Sequence, residues 1–235
     1  MSRIDDIIKL VFFPKFCLLC GRWGMYLCDI CAKKLDLRDS QLCPECSRKH
    51  HFGLTHQLCK KKYSLDGHIS LFLYSRAMRK LIMTFKFRLA SEVILDTFSQ
   101  IQKQNLDYIT ADYLELCKPD LIIPVPLHKN RQRERGFNQA DLISQLFTKT
   151  FPTQICNDIV ARIKDTPHQS KTRNKKERQE HISGAFAVRK PEDIQNKTIL
   201  IIDDVWTTGS TIKEITKVLK QAGSGSVYAW TLAHG

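Results

Sequence analysis

Two adjacent carboxylates, Asp203 and Asp204, are followed after two residues by Thr207-Thr208-Gly209-Ser210-Thr211. Backbone amides and hydroxyls in such a run can cradle a phosphate, and Gly209 lets the chain approach it closely. The acid pair would repel a bare phosphate. It suits what lies beside one: sugar hydroxyls, which donate to carboxylates, and a bridging Mg²⁺, which takes hard oxygen ligands. Upstream, Arg131 and Arg135 stand in the basic run from His128 to Gln139. Their charge suits a pyrophosphate, with a solvated charge run as the plainer alternative. A second basic segment, residues 162–178, carries Lys171, Arg173, Lys175 and Lys176 and no strong apolar period. It reads as a mobile arm that closes over a phosphorylated ligand or holds single-stranded DNA electrostatically, without regard to sequence.

Cysteine spacing carries a different chemistry. Cys17 and Cys20, then Cys28 and Cys31, form two pairs with two-residue spacers, the pattern that presents four thiolates to one tetrahedral Zn²⁺. Cys43 and Cys46 begin a second set that Cys59 continues. Lys62 stands where a fourth cysteine would fall, so His56 is the expected fourth ligand, with His50 and His51 as alternatives. Segments this short lack a core of their own, and metal binding must fold them. Trp23, Tyr26 and Phe52 in this region are the alternative place for DNA, by base stacking.

The elements that must position these groups follow from periodicity. Ile199 to Ile202 is an unbroken apolar run, as in a parallel strand covered on both faces. From Thr211 the period becomes 3.6, with Ile212, Ile215, Val218, Leu219 and Ala222 on one side. The acid pair therefore sits at a strand end, and the hydroxyl run leads into a helix N-terminus. Thr211 and Glu214 have capping-box spacing. Strands are also expected near 68–74, 120–127, 184–188 and 227–232. Helices are expected over 77–87, 91–102 and 140–148, with 107–118 open between helix and loop. His128 to Gln139 is expected as a loop. Ile4, Ile7, Ile8 and Val11 make one face of an N-terminal helix.

The net charge of +13 suits a polyanionic partner. No apolar run reaches the length of about 20 residues that spans a bilayer, and no export signal is legible, so a cytoplasmic protein without membrane insertion is expected.

The stretch from Thr198 to Thr211 resembles the phosphoribosyl-diphosphate (PRPP) loop of type I phosphoribosyltransferases. A receiver domain also ends a strand in two acids, but needs neither the hydroxyls nor the glycine. Taken with the N-terminal cysteines, the Pro-Val-Pro strand end, Arg135-Gly136-Phe137-Asn138-Gln139 and Gly184-Ala185-Phe186, the chain resembles the ComF family (ComFC/GntX type). That resemblance implies a double zinc-ribbon domain over 1–64 and an α/β phosphoribosyltransferase-like domain over 65–235, a parallel sheet with flanking helices. It implies that Asp203 and Asp204 hold the ribose hydroxyls and that Thr207 to Thr211 hold the 5-phosphate. By the same likeness Thr166 and Gln169 belong to the flexible loop over the sugar phosphate, and Arg178 to its basic arm. A role in natural transformation is implied too, with uptake and processing proteins of the competence machinery as partners and association with the inner membrane face through them. Purine-type relatives carry an acid at the position of Thr207, which cannot act as a base near neutral pH, so ligand binding is better supported than turnover.

Overall fold

The computed structural model describes residues 14–87, 91–102, 107–150, 153–166 and 180–235. The expected N-terminal helix lies outside these residues.

Seven strands and seven helices organise them. The strands are β1 (Gly67–Leu73), β2 (Leu121–Pro124), β3 (Gln154–Ile155), β4 (Val160–Arg162), β5 (Phe186–Val188), β6 (Ile199–Trp206) and β7 (Val227–His234). The helices are α1 (Asp29–Ala32), α2 (Arg76–Phe87), α3 (Ser91–Gln102), α4 (Asp107–Cys117), α5 (Lys129–Arg135), α6 (Gln139–Thr150) and α7 (Ser210–Gln221). Five strands form one sheet in the order β1-β7-β6-β2-β3, with every neighbouring pair parallel. β4 and β5 make a separate antiparallel pair.

The apolar run of β6 is covered on both sides, as its composition requires. Leu200 and Ile202 pack into one core with Met78 and Phe85 of α2, Ile94 of α3, Leu114 of α4 and Ile143 of α6. Ile199 and Ile201 pack into another with Ile212, Ile215 and Leu219 of α7 and Phe186 of β5. The architecture is the expected α/β one. The segment left open between helix and loop is helical as α4, because Tyr113, Leu114 and Cys117 bury one face in the first core.

The basic run after β2 differs from the expected loop: Lys129 to Arg135 is helical. Its residues have good helix propensity, which the charge density obscured. His128 accepts from the Asn130 amide at its start, and Gly136, at φ 78°, stops it in the left-handed conformation.

The cysteine-rich segment packs against the sheet. Leu37 forms an antiparallel bridge with Phe72 of β1, flanked by Arg38 N–H to Leu71 C=O and Leu73 N–H to Asp36 C=O, both 2.8 Å. The Gln41 side chain continues this pairing, donating to Ser70 C=O and accepting from Ser70 N–H at 3.0 Å each. Cys17, Leu27, Cys28, Cys31 and Leu35 belong to the same buried core as Ile69 and Leu71. Among the described residues no helix is long and apolar enough to cross a membrane.

Candidate functional site

A cleft of about 400 Å³ opens at the C-terminal end of the sheet, where ligands of open α/β folds bind. Asp203, Asp204, Thr207, Gly209, Ser210 and Thr211 line it from the β6–α7 connection, and Arg131 and Arg135 line it from α5. Thr208 belongs to the same turn: its hydroxyl lies 2.7 Å from that of Ser210 and accepts from the Ser210 amide.

Gly209 is the N-cap of α7, at φ 70°, and offers no side-chain acceptor to the first-turn amides. That first turn, Ser210 to Ile212, lines the cleft. The Thr211–Glu214 capping box does not form. The helix begins two residues earlier than that box requires, and Glu214 instead accepts from the Gly184 amide at 2.8 Å, tying α7 to the segment before β5. Beneath the turn lies the Trp206 ring, which stacks on His68 with centroids 4.0 Å apart. His68 is buried and meets Thr231 Oγ1 at 2.9 Å and Ser70 Oγ at 3.1 Å.

Opposite charges face each other across the cleft. Burial lowers the Arg135 guanidinium and the nearby Asp204 carboxylate opposes that shift. Burial and then Arg131 bring Arg162 down to about 10, against the pull of Asp203, so it remains charged at neutral pH. The motif from Arg135 to Gln139 has a legible internal logic. Gln139 Oε1 accepts from Arg135 Nη1 at 3.3 Å while its amide group donates to Phe85 C=O. Asn138 donates to Val125 C=O at 3.0 Å and accepts from the Ala140 amide, joining β2 to the start of α6.

Thr166 is buried at the stem of the basic arm, where Arg131 donates to its carbonyl and Arg162 to its hydroxyl. Gln169, Lys171, Arg173, Lys175, Lys176 and Arg178 lie outside the described residues. Arg162 also lines the cleft, read from the sequence only as the first cation of the basic segment, and Arg79 and Tyr74 line it without having been singled out. Arg162 carried a signal, a cation following the apolar Ile159-Val160-Ala161 run and thus at a strand end. Arg79 and Tyr74 carried none.

Seven of the nine cysteines gather into two groups. Ligand atoms of Cys17, Cys20, Cys28 and Cys31 lie within 4.8 Å of one another, as do those of Cys43, Cys46, His56 and Cys59. A tetrahedral zinc with sulfur ligands at ~2.3 Å sets the sulfurs about 3.8 Å apart. Cys20 and Cys28 Sγ are 3.7 Å apart, and Cys46 Sγ is 3.3 Å from His56 Nδ1, so both groups fit such an ion. Burial raises the Cys17 thiol, but the amides of Cys28, Cys20 and Leu19 outweigh it and bring it down to about 6. Cys43 is likewise held at about 6: burial opposes the shift, and the amides of Cys46, His56 and Glu45 drive it. Burial and then neighbouring sulfurs push Cys31 up to about 12 and Cys59 to about 11. Each group thus pairs one lowered thiol, Cys17 or Cys43, with one raised thiol, Cys31 or Cys59, that would give up its proton to a metal. Glu45, inside the second group, meets Lys213 of α7 at 3.2 Å.

Comparison with known proteins agrees with this anatomy. A family model described as a phosphoribosyl transferase domain matches residues 134–235. Competence protein F of Haemophilus influenzae is 32% identical over 211 residues, covering 88% of this chain and 90% of that protein. DNA utilization protein YhgH of Escherichia coli is 30% identical over 227 residues, covering 93% and 96%. Competence protein ComFC of Bacillus subtilis is 26% identical over 217 residues, covering 88% and 83%. With a phosphoribosyltransferase-type sheet behind two metal-ready cysteine groups, and this likeness along most of its length, the chain belongs to the ComF family of competence proteins.

Proposed function

We propose that the cleft binds a ribose 5-phosphate such as PRPP together with Mg²⁺, and that the chain also binds single-stranded DNA in support of DNA uptake into the cytoplasm. In this reading residues 1–64 form a zinc-ribbon domain and 65–235 a phosphoribosyltransferase-like one. The observation that carries it is the cleft itself. The first turn of α7 lines it beside Asp203 and Asp204, with Arg131, Arg135 and Arg162 opposite. The α7 amides and hydroxyls suit the 5-phosphate. The carboxylates suit ribose hydroxyls and would hold Mg²⁺, which neutralises phosphate charge when bound. The arginines suit the pyrophosphate. Zinc would be held by the two cysteine groups, with a structural role. The names of the relatives support the DNA role, and uptake and processing proteins of the competence machinery are the expected partners.

Calorimetry with PRPP tests the cleft. Asp204→Asn keeps the size of the side chain and removes the charge that orients hydroxyls and metal. Losing a charged hydrogen-bond partner costs about 1.5–3 kcal/mol, so affinity should fall at least tenfold, and binding to the parent chain should require Mg²⁺. Equal affinity of variant and parent, or no binding by the parent, refutes the assignment. A pyrophosphate-release screen over nucleobases separates binding from transfer to an acceptor.

A further inference from the structure

The first cysteine group is built on a hairpin that displays two aromatic rings to water. Phe16 and Trp23 are bridge partners across this hairpin. The flanking bonds run from Cys17 N–H to Arg22 C=O and from Gly24 N–H to Lys15 C=O, both 2.8 Å. That pattern makes Phe16 and Trp23 a non-hydrogen-bonded pair, the kind whose side chains stand closest on one face. Yet they are 49% and 58% exposed. A fold that buries its other two tryptophans, Trp206 at 5% and Trp230 at 2% exposure, leaves this one in water.

Basic residues flank the pair in the sequence. Residues 14–34 hold Lys15, Arg22, Lys33 and Lys34 against the single carboxylate of Asp29, although Lys15 is engaged by Asp96 at 3.6 Å. The hairpin also touches α2, where Lys80 Nζ donates to Leu19 C=O at 3.0 Å. On α2, Arg76, Arg79 and Lys80 are exposed, and Arg79 lines the ligand cleft. Cations therefore lead from the aromatic pair, along α2, to the cleft mouth.

We propose that the Phe16–Trp23 pair is a stacking platform for the bases of single-stranded nucleic acid, whose phosphates follow the cations of α2. This rests on the reading above that the chain binds single-stranded DNA, and gives it a place other than the basic arm. Two rings set among cations match what an unpaired strand offers, a π-face on every base and a charge on every phosphate. A protein partner needs a continuous face of about 800 Å², and Lys15, Arg22, Gly21 and Gly24 interrupt this one. Tyr26 and Phe52 fit the role less well: Lys15 Nζ lies over the Tyr26 ring at 5.1 Å, and Phe52 packs against the core.

The test uses the zinc-loaded full chain and a labelled oligothymidylate. Trp23 is the exposed indole, so its fluorescence should be quenched on binding. Phe16→Ala with Trp23→Ala should weaken binding at least about fivefold per ring, the lower end of base–aromatic stacking, while the salt dependence stays that of the parent chain. Trp23→Phe should restore most of the affinity. Zinc content and melting temperature equal to the parent's establish that the variants are folded. Parent binding with an unchanged affinity in the double variant overturns the platform and leaves the DNA reading intact, with the site elsewhere. A double variant that loses salt dependence together with affinity also overturns it, because the rings would then be positioning phosphate contacts. No oligonucleotide binding by the parent chain removes the DNA reading and the platform with it. Retained quenching in Trp23→Ala would place the responding indole in the interior and refute the stacking.

Discussion

Gly209→Ala is the sharpest probe of the cleft. At φ 70° a Cβ is strained, at a cost of roughly 1–2 kcal/mol. The new methyl would also sit 2.2 Å from Cζ2 of Trp206 and 2.5 Å from its Cη2. The indole has nowhere to retreat, because His68 stacks on it at an interplanar angle of 20° and is itself held by Thr231 and Ser70. Overpacking of this kind adds about 1–3 kcal/mol, so the total loss should be roughly 2–5 kcal/mol. Urea denaturation of the zinc-loaded chain measures it as a lower midpoint at constant slope. Trp206→Leu supplies the control. In a double-mutant cycle the two changes should couple favourably by the overpacking part, leaving the backbone strain behind. A loss below about 0.5 kcal/mol, within the range of ordinary surface changes, or a cycle with no coupling, refutes the wedge between turn and ring. PRPP affinity should fall with stability, since the turn that lines the cleft must move.

Metal and pH give two further outcomes. Elemental analysis should find two zinc ions per chain, and Cys28→Ser should melt far lower than the parent, because its ligand group shares the main core; one zinc, unchanged by His56→Ala, would defeat the second site. Burial, then the charges of His234 and Arg38, holds His68 well below its ordinary range, and burial, then Arg38, brings His234 down to about 4. Between about 4 and 6.5 the unfolded chain therefore binds more protons than the folded one, so stability should rise with pH across that window and be lost on acidification. Melting temperatures from pH 7 to 5 should fall, with a shallower fall in His68→Asn; a flat profile would refute the neutral histidines.

Periodicity made the sheet legible because β6 needs cover on both faces and α7 on one. The acid pair and Gly209 were legible for a related reason: a strand end leading into a helix start has few solutions near a phosphate. What the sequence hid depends on contacts far apart in the chain. Glu214 has the spacing of a local cap, yet the Gly184 amide, thirty residues away, claims it. The helix from Lys129 to Arg135 was masked by charge, which signals solvent exposure and says little of backbone conformation. Trp206 reads as an ordinary residue between two motifs, and only the meeting of β1, β6 and β7 reveals it as the support beneath the turn. His56, three residues before Cys59, was a candidate from spacing beside His50 and His51, and the structure brings His56 into the second group.

The bridge between Leu37 and Phe72 has a consequence for solubility. β1 is an outer strand of the sheet, and such a strand is a template on which other chains can add. Backbone groups of Asp36 and Arg38 occupy its free side, and the Gln41 carboxamide imitates a further peptide unit against Ser70. That cover lies between the two cysteine groups, and on the zinc-binding proposal above its folding would depend on the metal they hold. A metal-starved chain would therefore present β1, with Ile69, Leu71 and Phe72, as a bare apolar edge. Its characteristic failure would be strand-to-strand self-association, and metal supply would govern how much of the protein stays in solution.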